Sequence, residues 1–148
     1  MVNLTFSIGK FRAKDKTAPV FKIIRLCTLV CFHKNDKLLF PRTGIVDTGA
    51  YFSLIPKNIW KEIDAKVISK DESIQGINLK PECAIPASLA TVKCRLVDES
   101  GNSMKSLNII AYLADSNKVP LLLGFASLLS EFEVVFNCKT NKAYIKKA

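Results

Sequence analysis

Short apolar stretches broken by polar and turn-forming residues run along this chain, and their spacing follows a period of two more often than 3.6. Leu4, Phe6 and Ile8 alternate with polar neighbours, so residues 2–8 predict a first strand. Residues 20–32 are rich in Ile, Leu and Val, the pattern of a central inner strand. Asn35-Asp36 is a turn signal that closes a hairpin onto Leu38, Leu39 and Phe40, and Pro41 ends that piece. Residues 44–46 and 53–56 predict two short strands on either side of a polar loop. Pro56 followed by residues 57–63 predicts a short amphipathic helix, because proline fits a helix start where no amide donor is needed. Trp60 is expected to be its packing anchor. Residues 88–98 and 104–113 alternate as two strands joined by the loop 99–103. Residues 119–123 are apolar enough for a fully buried strand, Leu128 and Leu129 begin a helical apolar face, and residues 133–137 return to strand. The expectation is an all-β, closed barrel-like fold with one or two short helices, spanning residues 1–148 as one domain.

Composition narrows the function classes. A chain of 148 residues, 49% hydrophobic and 24% charged, is long enough for one domain with a real core. Its apolar runs fall well short of a membrane span, and its N-terminus reads as a strand instead of a signal peptide. Five cysteines (Cys27, Cys31, Cys83, Cys94 and Cys138) form an odd, scattered set beside one histidine. That argues against a zinc site or a disulfide framework and for buried free thiols in a reducing cytoplasm. His33 borders the turn at residues 34–37 and is expected to be a solvated loop histidine, which removes Ser-His and Cys-His hydrolase mechanisms unless that one residue serves. The net charge of +9, from 22 basic and 13 acidic residues, is dispersed through turns. With no aromatic-basic motif of an RNA-binding fold, it predicts a solvated basic surface more than a nucleic-acid partner.

Between the two short strands at residues 44–46 and 53–56 stands Asp47-Thr48-Gly49-Ala50. A given four-residue string arises by chance in roughly one chain per thousand of this size. Asp and Gly are ordinary turn residues, so the tetrapeptide alone also fits a strand ending in a tight turn without chemistry. The context adds to it. The segment resembles the active-site loop of aspartic proteases and, because it occurs once, resembles the retropepsin-like (retroviral-type) half-enzyme that must dimerise. Val119-Pro120-Leu121-Leu122-Leu123-Gly124, followed by residues 125–129, is similar to that family's second block, an apolar strand that ends in Gly and runs into a short supporting helix.

The resemblance implies an aspartic endopeptidase with Asp47 as the catalytic carboxylate. A water must be activated while a leaving nitrogen is protonated, and two carboxyl groups sharing one proton do both. No other acidic residue repeats the motif, so the second carboxylate would be Asp47 of another copy across a two-fold axis. Thr48, Gly49 and Ala50 would support the loop, with Thr48 hydrogen-bonding across the axis and Gly49 turning the backbone sharply. Gly49, Leu54, Gly76, Ile77 and Leu122 would bind a peptide or protein substrate, and residues 73–86 would fold over it as a flap. The chain termini would interleave between protomers. No metal and no organic cofactor is required. The family's viral members carry an Arg after the second-block Gly and an acidic partner for it. Phe125 and Tyr51 stand in those places, where an aromatic contact would replace the ion pair, and they point to a cellular or prokaryotic-like member. A non-catalytic dimerisation or peptide-binding module on the same fold is the alternative, and a basic nucleic-acid-binding domain is a third, weaker reading.

Overall fold

The computed structural model describes residues 1–75 and 80–148. The strands among them are β1 (Val2–Asn3), β2 (Thr5–Phe11), β3 (Phe21–Lys34), β4 (Lys37–Leu38), β5 (Arg42–Val46), β6 (Ser53–Ile55), β7 (Ala65–Ile74), β8 (Ile85–Val97), β9 (Leu107–Ala114), β10 (Leu122–Leu123), β11 (Phe132–Asn137) and β12 (Lys142–Lys147). One turn of α-helix, α1 (Lys57–Trp60), follows β6. The fold is mostly β, as the alternation predicts.

The larger sheet runs β2-β3-β5-β10-β6-β9-β8-β7, with β4 beside β3. A further antiparallel pairing joins β3 to β8, Leu29 opposite Val97 through Phe32 opposite Cys94. That pairing closes a ring of β3, β5, β10, β6, β9 and β8, and a closed sheet leaves no edge within the ring. Its interior is filled by side chains that are 0% exposed, among them Val30, Ile55, Leu96, Ile109 and Leu123. The smaller sheet, β1-β12-β11, packs Val2 and Ile145 into the same apolar cluster.

Several sequence expectations are corrected. Residues 2–8 do not form one strand. Val2 and Asn3 pair with β12, whereas Thr5 onward pairs with β3, and buried Leu4 marks the change of sheet. The predicted helix 57–63 stops after one turn, with Pro56 at its N-cap, and Ile63 is buried just beyond it. Trp60 is an anchor as expected, its indole N–H donating to the Ala114 carbonyl at 2.7 Å. Only Leu122–Leu123 of residues 119–123 is strand. Leu128 and Leu129 do begin a helical segment, Leu128 as N-cap and Leu129 as first residue, but it is a 3-10 turn and not an α-helix. Ser127 has φ 58°, outside the helical region, and a single 3-10 turn at Leu129–Glu131 leads directly into β11.

His33 is not a solvated loop residue. Asn35 and Asp36 both have positive φ (50° and 62°), so the hairpin turn is tight and His33 remains within β3, 7% exposed. Its Nε2 lies 3.0 Å from Ser106 Oγ. Burial, then the nearby Lys93 and Arg95 charges, lowers its pKa. Cys27, Cys31 and Cys94 are buried as expected, but Cys83 and Cys138 are exposed because both sit outside the strands. Burial pushes the Cys94 thiol up to about 12. At the termini, β1 pairs with β12 within the chain, Val2 opposite Ile145. No helix of the described residues is long and apolar enough to cross a membrane.

Candidate active site

Asp47 leaves the end of β5, and the strand that holds it comes from far along the chain. β10 lies parallel to β5 and antiparallel to β6, so it is inserted between the two strands that flank the loop. Ile45 N donates to Leu121 O at 2.9 Å and Asp47 N to Leu123 O at 3.0 Å. The other side of the loop is held the same way: Phe125 N donates to Ala50 O at 2.9 Å and Ala126 N to Tyr51 O at 2.8 Å. Ser53, 0% exposed, accepts from Gly124 N through its hydroxyl at 3.1 Å. The two sequence blocks therefore form one backbone-bonded unit.

That contact dictates one glycine and leaves a second closely fitted. A Cβ on Gly124 would lie 2.5 Å from the Phe52 carbonyl carbon and 2.9 Å from the Ala50 oxygen, closer than real Cβ contacts permit. A Cβ on Gly44 would meet Leu123 Cγ at 3.1 Å. Gly49 works differently from the sequence expectation. Its φ is not positive, so no turn there demands glycine. Its N–H instead donates to Asp47 Oδ1 at 2.9 Å, and Ala50 N donates to Asp47 O at 3.3 Å. The Asp-Thr-Gly sequence is thus a side-chain-capped turn that orients the carboxylate. No hydrogen bond from the described residues reaches Oδ2.

Asp47 and Ala50 are half-buried, while Thr48 and Gly49 are exposed on the protomer surface. Leu122 is registered with Ile45 on one side and Leu54 on the other, and Leu54 with Tyr112 of β9. Registered neighbours share a sheet face, so these four side chains form an apolar row beside the loop. Leu54 is 8% exposed and Leu122 half-buried, which leaves Leu122 more of the accessible surface. Sequence reasoning missed Tyr112, whose ring meets Phe52 edge-on at 5.4 Å. It also missed Ser127, whose hydroxyl accepts from Ile110 N at 2.7 Å and fixes the chain below the loop. The expected aromatic contact between Tyr51 and Phe125 is not formed. Both are exposed, at 86% and 46%, and what joins their segments is backbone hydrogen bonding.

Gly76 and Ile77 lie outside the described residues, as does the middle of the expected flap at 73–86. Its base is described. β7 and β8 pair up to Ile74 opposite Ile85, and a 3-10 turn at Pro81–Cys83 precedes β8. Among the described residues no three His, Cys, Asp or Glu side chains converge as a metal-binding group.

No family model matches the sequence, and no curated protein matches it. Solved structures do. A retropepsin-like aspartic protease from Rickettsia conorii aligns over 100% of both chains at 18% identity with a TM-score of 0.49. EIAV protease in complex with the inhibitor HBY-793 aligns over 68% of this chain and 81% of its own, at 18% identity and a TM-score of 0.45. The chain is similar to retropepsin-like aspartic proteases. At that identity and those scores, neither neighbour transfers a role to any residue of this chain.

Proposed function

We propose that the chain is an aspartic endopeptidase working as a homodimer, with residues 1–148 acting as one domain that supplies half of the site. The observation that carries this reading is the Asp47 carboxylate. It sits at the tip of a loop bonded on both sides to β10 and its continuation, with one oxygen oriented by Gly49 N and the other without a hydrogen-bond partner among the described residues. Side-chain carboxylates in ordinary surface turns do not need such a scaffold. A cradle of buried backbone contacts is what a precisely positioned reacting group requires.

In this mechanism, Asp47 of one copy and Asp47 of a second copy face each other and hold one proton between them. Two close carboxylates cannot both ionise cheaply, an effect general to aspartic proteases. The ionised member takes a proton from water, whose oxygen attacks the peptide carbonyl carbon. The protonated member gives its proton to the carbonyl oxygen. Collapse of the tetrahedral intermediate breaks the C–N bond, and the nitrogen leaves with a proton returned from the dyad. Thr48, Gly49 and Ala50 hold the loop. Gly49, Leu54 and Leu122, with Gly76 and Ile77, form the substrate contacts, and the apolar row makes apolar side chains the preferred neighbours of the scissile bond. The chemistry requires no metal or organic cofactor. Five thiols without a disulfide support residence in a reducing compartment such as the cytoplasm.

The test offers purified protein a mixed peptide library from acidic to neutral pH, beside Asp47→Asn. Cleavage by the parent alone, with a bell-shaped pH profile, is expected. A stable dimer that cleaves nothing at any pH would instead make the chain a non-catalytic dimerisation or peptide-binding module.

A further inference from the structure

The positive charge is less evenly dispersed than the sequence reading expects. Residues 10–25 hold six of the 22 basic residues and one acid, Asp15. They form the far end of the hairpin made by β2 and β3, which is registered from Thr5 opposite Cys27 to Phe11 opposite Phe21. At about 3.4 Å per residue, the last of these pairs stands about 20 Å from the first. β2 is the end strand of the larger sheet, so no other strand of the described residues covers the hairpin along that edge.

The tip repels itself. Lys10 is directly opposite Lys22, and like charges so placed destabilise a strand pair. Arg12, Lys14 and Lys16 follow in the connecting loop. None of these five cations joins an ion pair among the described residues. Asp15 offsets one charge at most, and its Oδ1 is taken up in ordering the loop, accepting from Thr17 N at 2.9 Å and from Thr17 Oγ1 at 2.7 Å. A second copy of the chain, itself carrying +9, is repelled from this place. A surface of opposite charge is what such a tip fits.

The uncharged part of the tip decides which anionic surface. Phe11 and Phe21 share a face and are 51% and 50% exposed, and Val20 is 46% exposed. Lysines alone on an edge strand would guard it against pairing, but exposed phenylalanines beside them undo that protection. Thr17 is the one uncharged polar side chain in residues 10–22, and its hydroxyl is given to Asp15. Reading base edges takes amide and hydroxyl side chains as well as cations, and base stacking has no use for Val20 or Pro19. Cations beside aromatic and aliphatic side chains are the composition of an anchor at a bilayer interface. We infer that the tip of the β2–β3 hairpin docks on the headgroup layer of an anionic phospholipid bilayer. Its ammonium and guanidinium groups contact the lipid phosphates and carboxylates, while Phe11, Phe21 and Val20 reach the acyl boundary. The long apolar stem of lysine permits both contacts at once.

Flotation of the full chain tests this, with vesicles of phosphatidylcholine alone or mixed with phosphatidylserine. The parent floats with the mixed vesicles only. Lys14→Glu combined with Lys16→Glu lowers vesicle partitioning by about 30-fold or more. Phe11→Ser combined with Phe21→Ser lowers it by about tenfold or more. The reference is Lys37→Glu combined with Lys66→Glu, the same change in net charge at the opposite end of β3, where both lysines lie close to Lys34. That pair shifts partitioning by about threefold or less, because charges so far from the surface are screened. Unchanged circular dichroism and unfolding midpoint separate lost docking from lost folding, and the Lys14 and Lys16 pair carries the test if the serine variant fails to fold. A parent that leaves mixed vesicles unbound, or equal losses from the two charge pairs, overturns the inference. So does binding to single-stranded RNA or polyglutamate without binding to vesicles, which would assign the tip to a nucleic acid or an acidic protein. Peptide cleavage does not enter this readout, so the docking inference and the peptidase reading fail separately.

Discussion

Gly124→Ala is the substitution that most sharply probes how the loop is built. The added Cβ would meet the Phe52 carbonyl carbon at 2.5 Å and the Ala50 oxygen at 2.9 Å. Both are backbone atoms, so no side-chain rotation relieves the clash. Relief requires the Gly124 strand end to move away from the loop, which loosens the bonds from Phe125 N to Ala50 O and from Ala126 N to Tyr51 O. Overpacking of a tight site typically costs about 1–3 kcal/mol. With weakened hydrogen bonds at about 1 kcal/mol each, the expected loss is about 3 kcal/mol or more. For a chain of this size that lowers Tm by about 10 °C. The reference is Gly9→Ala, on exposed β2, where an added Cβ meets nothing within 4 Å and φ is not positive. That change should be neutral or slightly stabilising, because alanine has less backbone freedom to lose on folding. Urea unfolding and peptide cleavage are measured on both. Gly124→Ala should lose stability and nearly all activity, because Asp47 moves with the loop. Equal unfolding midpoints for the two variants would refute the reasoning.

Ser53→Ala should cost about 1–3 kcal/mol, since it leaves the buried Gly124 amide without its acceptor; an unchanged urea midpoint would contradict this. Deleting residues 142–148 removes β12 with buried Ala143 and Ile145, so the expected result is an unfolded or insoluble chain, read by solubility and circular dichroism. A folded, soluble monomer would show that the terminal strand serves association alone. Stability should also fall on acidification in two stages. His33 has a lowered pKa, so its contribution is present above the ordinary 6.5 and is lost as pH drops through the lowered folded value. Asp98 feels burial pulling its pKa up, but hydrogen bonds from Asn3, Asn102 and Ser100 outweigh it and hold it at about 2. Its contribution is present above the ordinary 3.8 and lost as pH falls toward 2. Melting curves against pH should show His33→Gln flattening the first stage and Asp98→Asn the second.

The parts of the fold legible in the sequence were those with strong local signals. Residues 20–32 are apolar enough to announce β3, and Asn35-Asp36 tolerate the positive φ that their turn demands. The loop at Asp47 and the block ending at Gly124 were legible as motifs, and the structure adds that they are hydrogen-bonded to one another. β7 was missed because Lys66, Lys70, Asp71 and Glu72 hide an exposed edge strand whose pairing is broken by register shifts. The pairing of Val2 with Ile145 joins opposite ends of the chain, and no local pattern encodes it. The burial of His33 is not legible locally because the residues after it, Lys34 to Lys37, are polar turn residues, while the histidine itself belongs to β3, pairs with Leu38 and meets Ser106 from far along the chain.

The central claim is that one site needs Asp47 from two chains. Parent protein and Asp47→Asn are unfolded together, mixed at varied ratios and refolded at constant total concentration, and peptide cleavage is measured for each mixture. If both carboxylates are required, only parent–parent dimers work, and activity follows the square of the parent fraction. A linear dependence on that fraction would mean that each chain carries a complete site, and would contradict the account.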